Sequence, residues 1–354
     1  MKNLQSYYQS TRTISSILRY KEDQSHIHKI EIKNYDGLNG LNPPVKIISP
    51  QINRNKIVIL YPGASPHAEK HPKMEMLGIS LANNGYKVFI PRIPPLKKLD
   101  ISTINVNWFV CFYNWVINVC KHESHSIAMV GVSYGGGLML KAILQLEKED
   151  KSPHVLMTYG TYADAKSTLN FLLTGEIIND GKKYKIQPHE WGLIVIFKNY
   201  LTNLDLNWDA MGIKKVLDFQ IEEKFDDRDK LINKLPSFQK QLATSIINGE
   251  VTGEAMSLSK EILQNETKLL KELSPKFWCH EIQKKIFIFH GANDSMVPFT
   301  ESKYLADHMP NSELLISYIY EHKEISTNRG MLFKLKELIR MTQFFSKFYY
   351  YNEN

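Results

Sequence analysis

The chain has 354 residues, of which 43% are hydrophobic and 23% are charged. This composition is typical of a globular protein and argues against a disordered or fibrous one. The length favours either one large α/β unit with an insertion or two domains. The net charge of +7 is spread over short lysine pairs interleaved with acidic residues, so the sequence predicts no nucleic-acid partner.

The N-terminal segment lacks the uninterrupted apolar run of a secretory signal, and no later stretch approaches the roughly 20 apolar residues of a membrane span. Cys111, Cys120 and Cys279 lie in or beside apolar segments. This placement favours free thiols in a reducing compartment over a disulfide framework. We therefore expect a cytoplasmic protein without a membrane span.

Strand-like apolar runs alternate with helical periodicity through the first half of the chain, which predicts a mainly parallel sheet covered on both faces. The first two strands are joined by a turn-rich segment at 36–40, which predicts an antiparallel hairpin ahead of the parallel strands. The predicted strands cover residues 27–33, 45–49, 56–61, 87–90, 126–132 and 154–159. The predicted helices cover residues 73–84, 105–120 and 134–146.

This alternation stops after Ala165, where a polar, aromatic and helix-like region continues to about residue 270. We predict that residues 166–270 form a mainly helical cap inserted into a core made of residues 1–165 and 271–354. The fold class is therefore predicted to be α/β, with a mostly parallel sheet flanked by helices. Amphipathic stretches in the cap lie at 193–201, 237–248 and 257–270, and the core resumes with strands at 285–289 and 313–319 and helices at 300–308 and 331–348.

The sharpest motif is G-x-S-x-G at residues 131–135, with Ser133 at its centre, between an apolar strand and a helix. Strand, turn and helix in this order are the context in which the motif presents a nucleophile. The turn is tight, so small residues are needed where neighbouring elements approach it. The alternative is a harmless serine in a phosphate-binding turn, but the Walker lysine and the dinucleotide glycine spacing are both missing. We therefore predict that Ser133 is a nucleophile.

A serine hydroxyl needs a base within hydrogen-bond reach and a third group that orients the base. Asp294 follows an apolar strand in a polar turn, and His322 comes just past the next predicted strand. Both residues are therefore expected on the same edge of the sheet as Ser133. The pattern predicts His322 as general base and Asp294 as the acid that orients it.

With these motifs in this order, the chain resembles the α/β-hydrolase fold superfamily over roughly residues 27–164 and 271–348. The matching segments are GVSYGGG around Ser133, HGANDSMVP around Asp294 and YEHKE around His322. The resemblance implies a cap between the sixth and seventh strands. It does not select among esterases, lipases, peptidases, thioesterases and acyltransferases.

The resemblance also implies an oxyanion hole made of two backbone amides. One is the amide of Tyr134, and the other comes from the loop after the third strand, where Ala64 follows Gly63. This loop begins with Pro62 where the family commonly has histidine. Ser65 therefore stays open as the alternative second donor.

Other residues allow competing interpretations of the site. His67, Glu69 and His71 are close enough in sequence to suggest a metal site. The flanking prolines indicate a loop, however, and further ligands are not evident. We therefore predict a polar entrance loop and no metal. Asp164 follows the sixth predicted strand, where some superfamily members carry the acid, and it is the alternative to Asp294. The proposed chemistry requires no cofactor.

The leading hypothesis is a serine hydrolase that cleaves a small-molecule carboxylic ester through an acyl-enzyme intermediate. A thioesterase or an acyltransferase on the same fold is the first alternative, and apolar residues in the cap favour it. A non-catalytic binding protein on a hydrolase scaffold is the second, and only the altered position Pro62 supports it.

Overall fold

A computed structural model of the chain describes residues 2–20, 28–121, 126–318 and 330–353. An eight-stranded sheet forms its centre, and a two-stranded hairpin lies apart from this sheet. The strands of the central sheet are β1 (Lys29–Asn34), β2 (Pro44–Ser49), β3 (Lys56–Tyr61), β4 (Tyr86–Pro91), β5 (Ile127–Val132), β6 (Val155–Tyr159), β9 (Ile286–Gly291) and β10 (Ser312–Ser317). The hairpin consists of β7 (Glu176–Asn179) and β8 (Lys182–Lys185).

The central strands lie in the order β1-β2-β4-β3-β5-β6-β9-β10. β2 pairs antiparallel with both β1 and β4, whereas each neighbouring pair from β4 to β10 is parallel. The inner parallel strands β5, β6 and β9 are short, apolar and almost wholly buried, as expected for strands covered on both faces. The predicted mostly parallel α/β architecture is confirmed.

Alternating side chains of each strand point into two separate hydrophobic layers. In β3, Ile57 and Ile59 pack into one layer, and Val58 and Leu60 pack into the other. The first layer is covered by α4 (Ile104–Cys120), α5 (Tyr134–Lys148) and α13 (Phe299–His308), with the short α3 (Pro94–Lys97) beside them, and the second by α1 (Lys2–Arg19), α2 (Pro72–Ala82) and α14 (Met331–Glu353).

Helix α1 is not predicted from the sequence, because the face that it buries is polar. Ser10 Oγ donates to the carbonyl oxygen of Thr342 at 2.7 Å, and the hydroxyls of Thr13 and Tyr349 share a hydrogen bond of 2.5 Å. Hydrogen bonds to α14 therefore satisfy groups that a hydrophobic pattern does not register. Within the described ranges, no helix is both long and apolar enough to cross a lipid bilayer.

Most residues of a third hydrophobic cluster lie in the segment between β6 and β9, among them Phe197 and Ile262, and Leu99, Ile101 and Val297 from outside the segment join it. Apart from the β7–β8 hairpin, all regular α and β elements of this segment are helices. That this segment is a separate cap domain remains a prediction. Its helices are α6 (Ala165–Thr174), α7 (Trp191–Tyr200), α8 (Met211–Ile221), α9 (Phe225–Ile232), α10 (Ser237–Ile247), α11 (Gly253–Asn265) and α12 (Thr267–Leu273).

Candidate active site

Ser133 occupies the sharp turn between β5 and α5. Its backbone has φ 51° and ψ −129°, a conformation that a residue with a side chain rarely adopts. Three hydrogen bonds hold it there: its amide donates to Tyr159 O at 2.7 Å, and its carbonyl oxygen accepts from Gly136 N at 2.9 Å and from Thr161 Oγ1 at 2.8 Å. The surrounding structure therefore maintains a strained backbone at the residue predicted to be the nucleophile.

The loop after β3 lies directly against this turn. A methyl group added to Gly135 would come within 2.1 Å of the carbonyl oxygen of Pro62, and one added to Gly63 would lie 3.1 Å from Ser133 Cβ. Backbones this close leave no room for a side chain at Gly135 and little at Gly63. The contact brings Ala64, which follows Gly63, to the cavity that Ser133 also lines.

Tyr134 is the first residue of α5, so its amide belongs to the first turn, whose N–H groups have no partner within the helix. Its phenol donates to Ile101 O at 2.7 Å, and its ring stacks on Tyr162 with centroids 5.4 Å apart. Burial raises the pKa of this phenol well above its ordinary value. The side chain therefore anchors the turn, and only the backbone amide is suited to contact a reacting group.

Ser65, the alternative oxyanion donor, also lines the cavity. Its hydroxyl accepts a hydrogen bond from His67 N at 3.3 Å, and its carbonyl oxygen accepts from Ala68 N at 3.1 Å. Both contacts shape the loop itself. They fit a residue that supports the loop, and the choice between Ala64 and Ser65 as oxyanion donor remains a prediction.

Asp294 lies in the turn after β9 and is buried, and it lines the same cavity as Ser133. Its Oδ1 accepts from the amides of Met296 at 2.8 Å and Val297 at 3.0 Å, which fixes the carboxylate in the turn. The two residues therefore reach one cavity from the carboxyl ends of β5 and β9, as the strand pattern predicts.

His290, four residues before Asp294, is completely buried. Its Nε2 lies 2.9 Å from Val297 O, and its Nδ1 lies 2.6 Å from Ser302 Oγ. A carbonyl oxygen can only accept a hydrogen bond, so Nε2 carries a proton and donates a hydrogen bond to Val297 O. Both ring nitrogens thus have partners inside the protein, which fits a structural role for this histidine.

His322 lies outside the described residues, as do Glu321 and Glu324 beside it. The chain approaches it along β10, whose last residue Ser317 pairs with Gly291 at the end of β9. Ser317 O also accepts from Ala292 N at 2.8 Å, within the turn that carries Asp294. The strand before His322 therefore ends beside the predicted acid.

Asp164, the alternative acid, has a different environment. It is the N-cap of α6, and its Oδ1 accepts from Lys166 N at 2.9 Å and Ser167 N at 3.3 Å. Its Oδ2 lies 3.2 Å from Lys276 Nζ. These contacts give Asp164 a role in starting the helix, and the residues that line the cavity of Ser133 do not include it.

The loop histidines and glutamate also have structural partners. Glu69 is buried and accepts from Arg92 through both of its carboxylate oxygens, at 3.0 Å and 2.5 Å. His71 Nδ1 accepts from Lys73 N at 3.1 Å and caps α2. In the part of the chain that the structure describes, no three His, Cys, Asp or Glu side chains converge to hold a metal ion.

The cavity above Ser133 has a volume of about 460 Å³, within the range of small-molecule sites. Its lining includes Ser133, Asp294 and the loop after β3. One apolar part of the wall is formed by α6, α7 and α12 and includes Leu169, Leu172, Trp191, Val195, Leu270 and Leu273. Met74 and Leu77 of α2, with Leu99, Ile101 and Met296, add further apolar lining. Such a wall suits an apolar part of a ligand.

The parallel sheet with this strand order, together with the turn at Ser133 after β5, defines the α/β-hydrolase fold, and the fold predicted from the sequence motifs is confirmed. No model of a known protein family and no curated protein sequence matches the chain. Its structure is similar to an acylaminoacyl peptidase from Pyrococcus horikoshii, with 11% identity and a TM-score of 0.50 over 91% of this chain and 41% of that one.

Two further structures show the same fold. A puromycin-hydrolysing peptidase from Mycobacterium tuberculosis has 14% identity and a TM-score of 0.50, with 92% of this chain and 40% of that chain covered. A puromycin hydrolase has 9% identity and a TM-score of 0.51, with 91% of this chain and 39% of that chain covered. The chain thus spans about two fifths of the length of each of the three proteins.

Proposed function

We propose that this protein is a serine hydrolase that cleaves a carboxylic ester through an acyl-enzyme intermediate. The observation that carries the proposal is the strained backbone of Ser133 at the turn between β5 and α5, on a cavity that Asp294 also lines. Strain of this kind persists only where neighbouring structure maintains it, and it is concentrated at functional sites. The apolar wall of the cavity supports an acyl group as part of the substrate.

In the proposed reaction, Ser133 Oγ attacks the ester carbonyl carbon while His322 accepts the hydroxyl proton. The carbonyl oxygen becomes an oxyanion, to which the amides of Tyr134 and Ala64 donate hydrogen bonds. The intermediate collapses as His322 protonates the leaving alcohol, and the acyl group stays on Ser133. A water molecule, deprotonated by His322, then attacks the acyl-enzyme and releases the acid, while Asp294 keeps the imidazole in the required orientation.

Amide hydrolysis is a second candidate reaction. The acylaminoacyl peptidase and the puromycin-hydrolysing peptidase that share the fold are named for cleaving amide-type substrates. The same serine chemistry serves both bonds, but an amide needs protonation of a poorer leaving group. A matched pair of an ester and an anilide with the same acyl group therefore distinguishes the two reactions.

The test measures hydrolysis of p-nitrophenyl esters and the matching p-nitroanilides by wild type, Ser133→Ala and Ser237→Ala. Ser237 is an exposed serine on α10 and serves as the control. We expect ester turnover in wild type and in the control and its loss in Ser133→Ala, because no other group is proposed to form the acyl-enzyme. A fluorophosphonate probe should label the same two active proteins. Undiminished turnover by Ser133→Ala would contradict the proposal.

A further inference from the structure

His290 connects the end of β9 to the start of α13, next to the turn that carries Asp294. Its imidazole is completely buried. Its Nε2 donates to Val297 O at 2.9 Å, and its Nδ1 lies 2.6 Å from Ser302 Oγ. The bond to Val297 O requires a hydrogen on Nε2, which the neutral ring can carry and the cationic ring always carries. The ring therefore holds Val297 through a donor that does not depend on its charge.

Val297 is also one of the two residues that hold the carboxylate of Asp294. Asp294 Oδ1 accepts from the amides of Met296 at 2.8 Å and Val297 at 3.0 Å. Both backbone polar groups of Val297 are thus engaged, its N–H by the carboxylate and its carbonyl oxygen by His290. A shift of Val297 would therefore move the carboxylate as well.

The ring of His290 lies behind the other oxygen of this carboxylate. His290 Nε2 is 3.7 Å from Asp294 Oδ2, which is too long for a hydrogen bond. Asp294 lines the cavity of Ser133, whereas His290 is not among the described residues that line it. Because two amides hold Oδ1, Oδ2 is the oxygen that the proposed reaction assigns to the general base. The buried ring therefore supports this oxygen from the side away from the cavity.

Further contacts join His290 to the turn at Ser133. Ser302 Oγ, which contacts His290 Nδ1, also lies 3.5 Å from Thr161 O. Thr161 Oγ1 in turn donates to Ser133 O at 2.8 Å. The residues that maintain the turn of the proposed nucleophile and those that maintain the turn of the proposed acid are therefore in contact inside the protein.

We propose that His290 is a positioning residue for the reaction, which sets the orientation of Asp294 through Val297. This inference rests on the proposed function, in which Asp294 orients His322. His290 takes no part in bond breaking. Its loss should slow the step in which the base takes the proton from Ser133 without weakening substrate binding, so kcat should fall while KM stays the same.

Two substitutions separate the two hydrogen bonds of the ring. Glutamine can place an N–H donor near the position of Nε2 and keep the bond to Val297 O, whereas the shorter asparagine reaches only the position of Nδ1. For p-nitrophenyl butyrate, we expect kcat to stay within about threefold of wild type in His290→Gln and to fall about 100-fold in His290→Asn, since a displacement of about 1 Å can cost that much. Equal kcat in wild type and His290→Asn would overturn the proposal. His290→Met replaces His290→Asn if thermal melting shows that the asparagine variant does not fold.

A double-mutant cycle with Asp294→Asn shows whether His290 acts through the acid. His290→Asn should lower kcat about 100-fold in the wild-type background but less than about threefold in Asp294→Asn, because the carboxylate that His290 positions is already absent there. Losses that multiply in the double variant would show a general disturbance of the structure and would overturn the proposal.

Crystal structures of the variants separate this inference from the proposed function. We expect Asp294 Oδ1 to keep its bonds to the amides of Met296 and Val297 in His290→Gln and to lose at least one of them in His290→Asn. An unmoved carboxylate in folded His290→Asn would overturn the role of His290 even if the protein hydrolyses no ester. Failure of the proposed function is seen in a different result, which is undiminished turnover by Ser133→Ala.

Discussion

Replacing Gly135 by alanine tests how the turn at Ser133, the proposed nucleophile, and the loop after β3 are held together. The added Cβ would lie 2.1 Å from Pro62 O and 2.9 Å from Pro62 C. Carbon and oxygen atoms in contact stay about 3.3 Å apart, so the backbones must separate by about 1 Å. Neither partner is a flexible side chain, and overpacking of this kind typically costs about 1–3 kcal/mol of stability. A displacement of about 1 Å near reacting groups can lower a rate by about 100-fold.

Urea denaturation and p-nitrophenyl butyrate hydrolysis measure the two effects of Gly135→Ala. We expect the free energy of unfolding to fall by about 1–3 kcal/mol and kcat/KM to fall by about 100-fold. Gly253→Ala, at the start of α11, is the matched control, because a methyl group there meets no atom within 4 Å. Wild-type stability and rate in Gly135→Ala would refute the inference that this close approach positions the site.

Further predictions concern the acid, a buried carboxyl and a buried thiol. Asp294→Asn should lower kcat by about 10⁴-fold. Asp164→Asn should leave kcat unchanged, because asparagine also caps helices. A large loss of kcat in Asp164→Asn but not in Asp294→Asn would make Asp164 the acid. Burial raises the pKa of Glu301 above its ordinary 4.5 although the amides of Ala163 and Asp164 donate to it. A raised carboxyl pKa lowers stability as the pH rises above the ordinary value of 4.5, so wild type should lose stability relative to Glu301→Gln as the pH is raised from below 4.5 to neutral. The free energies of unfolding of both proteins are measured by urea denaturation, and a difference between them that does not change with pH would contradict this prediction. Burial raises the pKa of Cys279 to about 11. In a variant with Cys111→Ser and Cys120→Ser, which removes the two less buried thiols, Cys279 should therefore react with Ellman's reagent at pH 8 only after unfolding. Rapid labelling of this native variant would show that the thiol is accessible.

The central sheet could be predicted because its strands are apolar runs separated by turns and helical patterns. Ser133 and Asp294 could be placed for the same reason, since both follow such runs and the carboxyl ends of parallel strands share one edge. The β7–β8 hairpin was missed although its turn carries a signal. Asp180 and Gly181 both have positive φ, of 50° and 74°, and Asp-Gly is a preferred pair for a two-residue hairpin turn.

Contacts between distant parts of the chain could not be predicted in this way. Glu69 was considered as a metal ligand because two histidines flank it, but its partner is Arg92, which follows β4 and lies far from it in sequence.

The two ends of the segment between β6 and β9 are bound to each other close to Ser133, the proposed nucleophile. Ala165 N donates to Ser274 Oγ at 2.8 Å, and Lys276 N donates to Ala163 O at 2.8 Å. Tyr162, which stacks on Tyr134 beside Ser133, donates through its hydroxyl to Leu273 O at 3.0 Å.

On the prediction that residues 166–270 form an inserted cap, the chain leaves and re-enters the core at this one place, so we expect the helices of the cap to vary while the turn at Ser133 keeps its geometry. Substrate choice is therefore expected to depend on the wall of α6, α7 and α12, and bond cleavage on the sheet edge below it. This separation is the physical reason why sequence motifs predict the chemistry of the site better than its substrate.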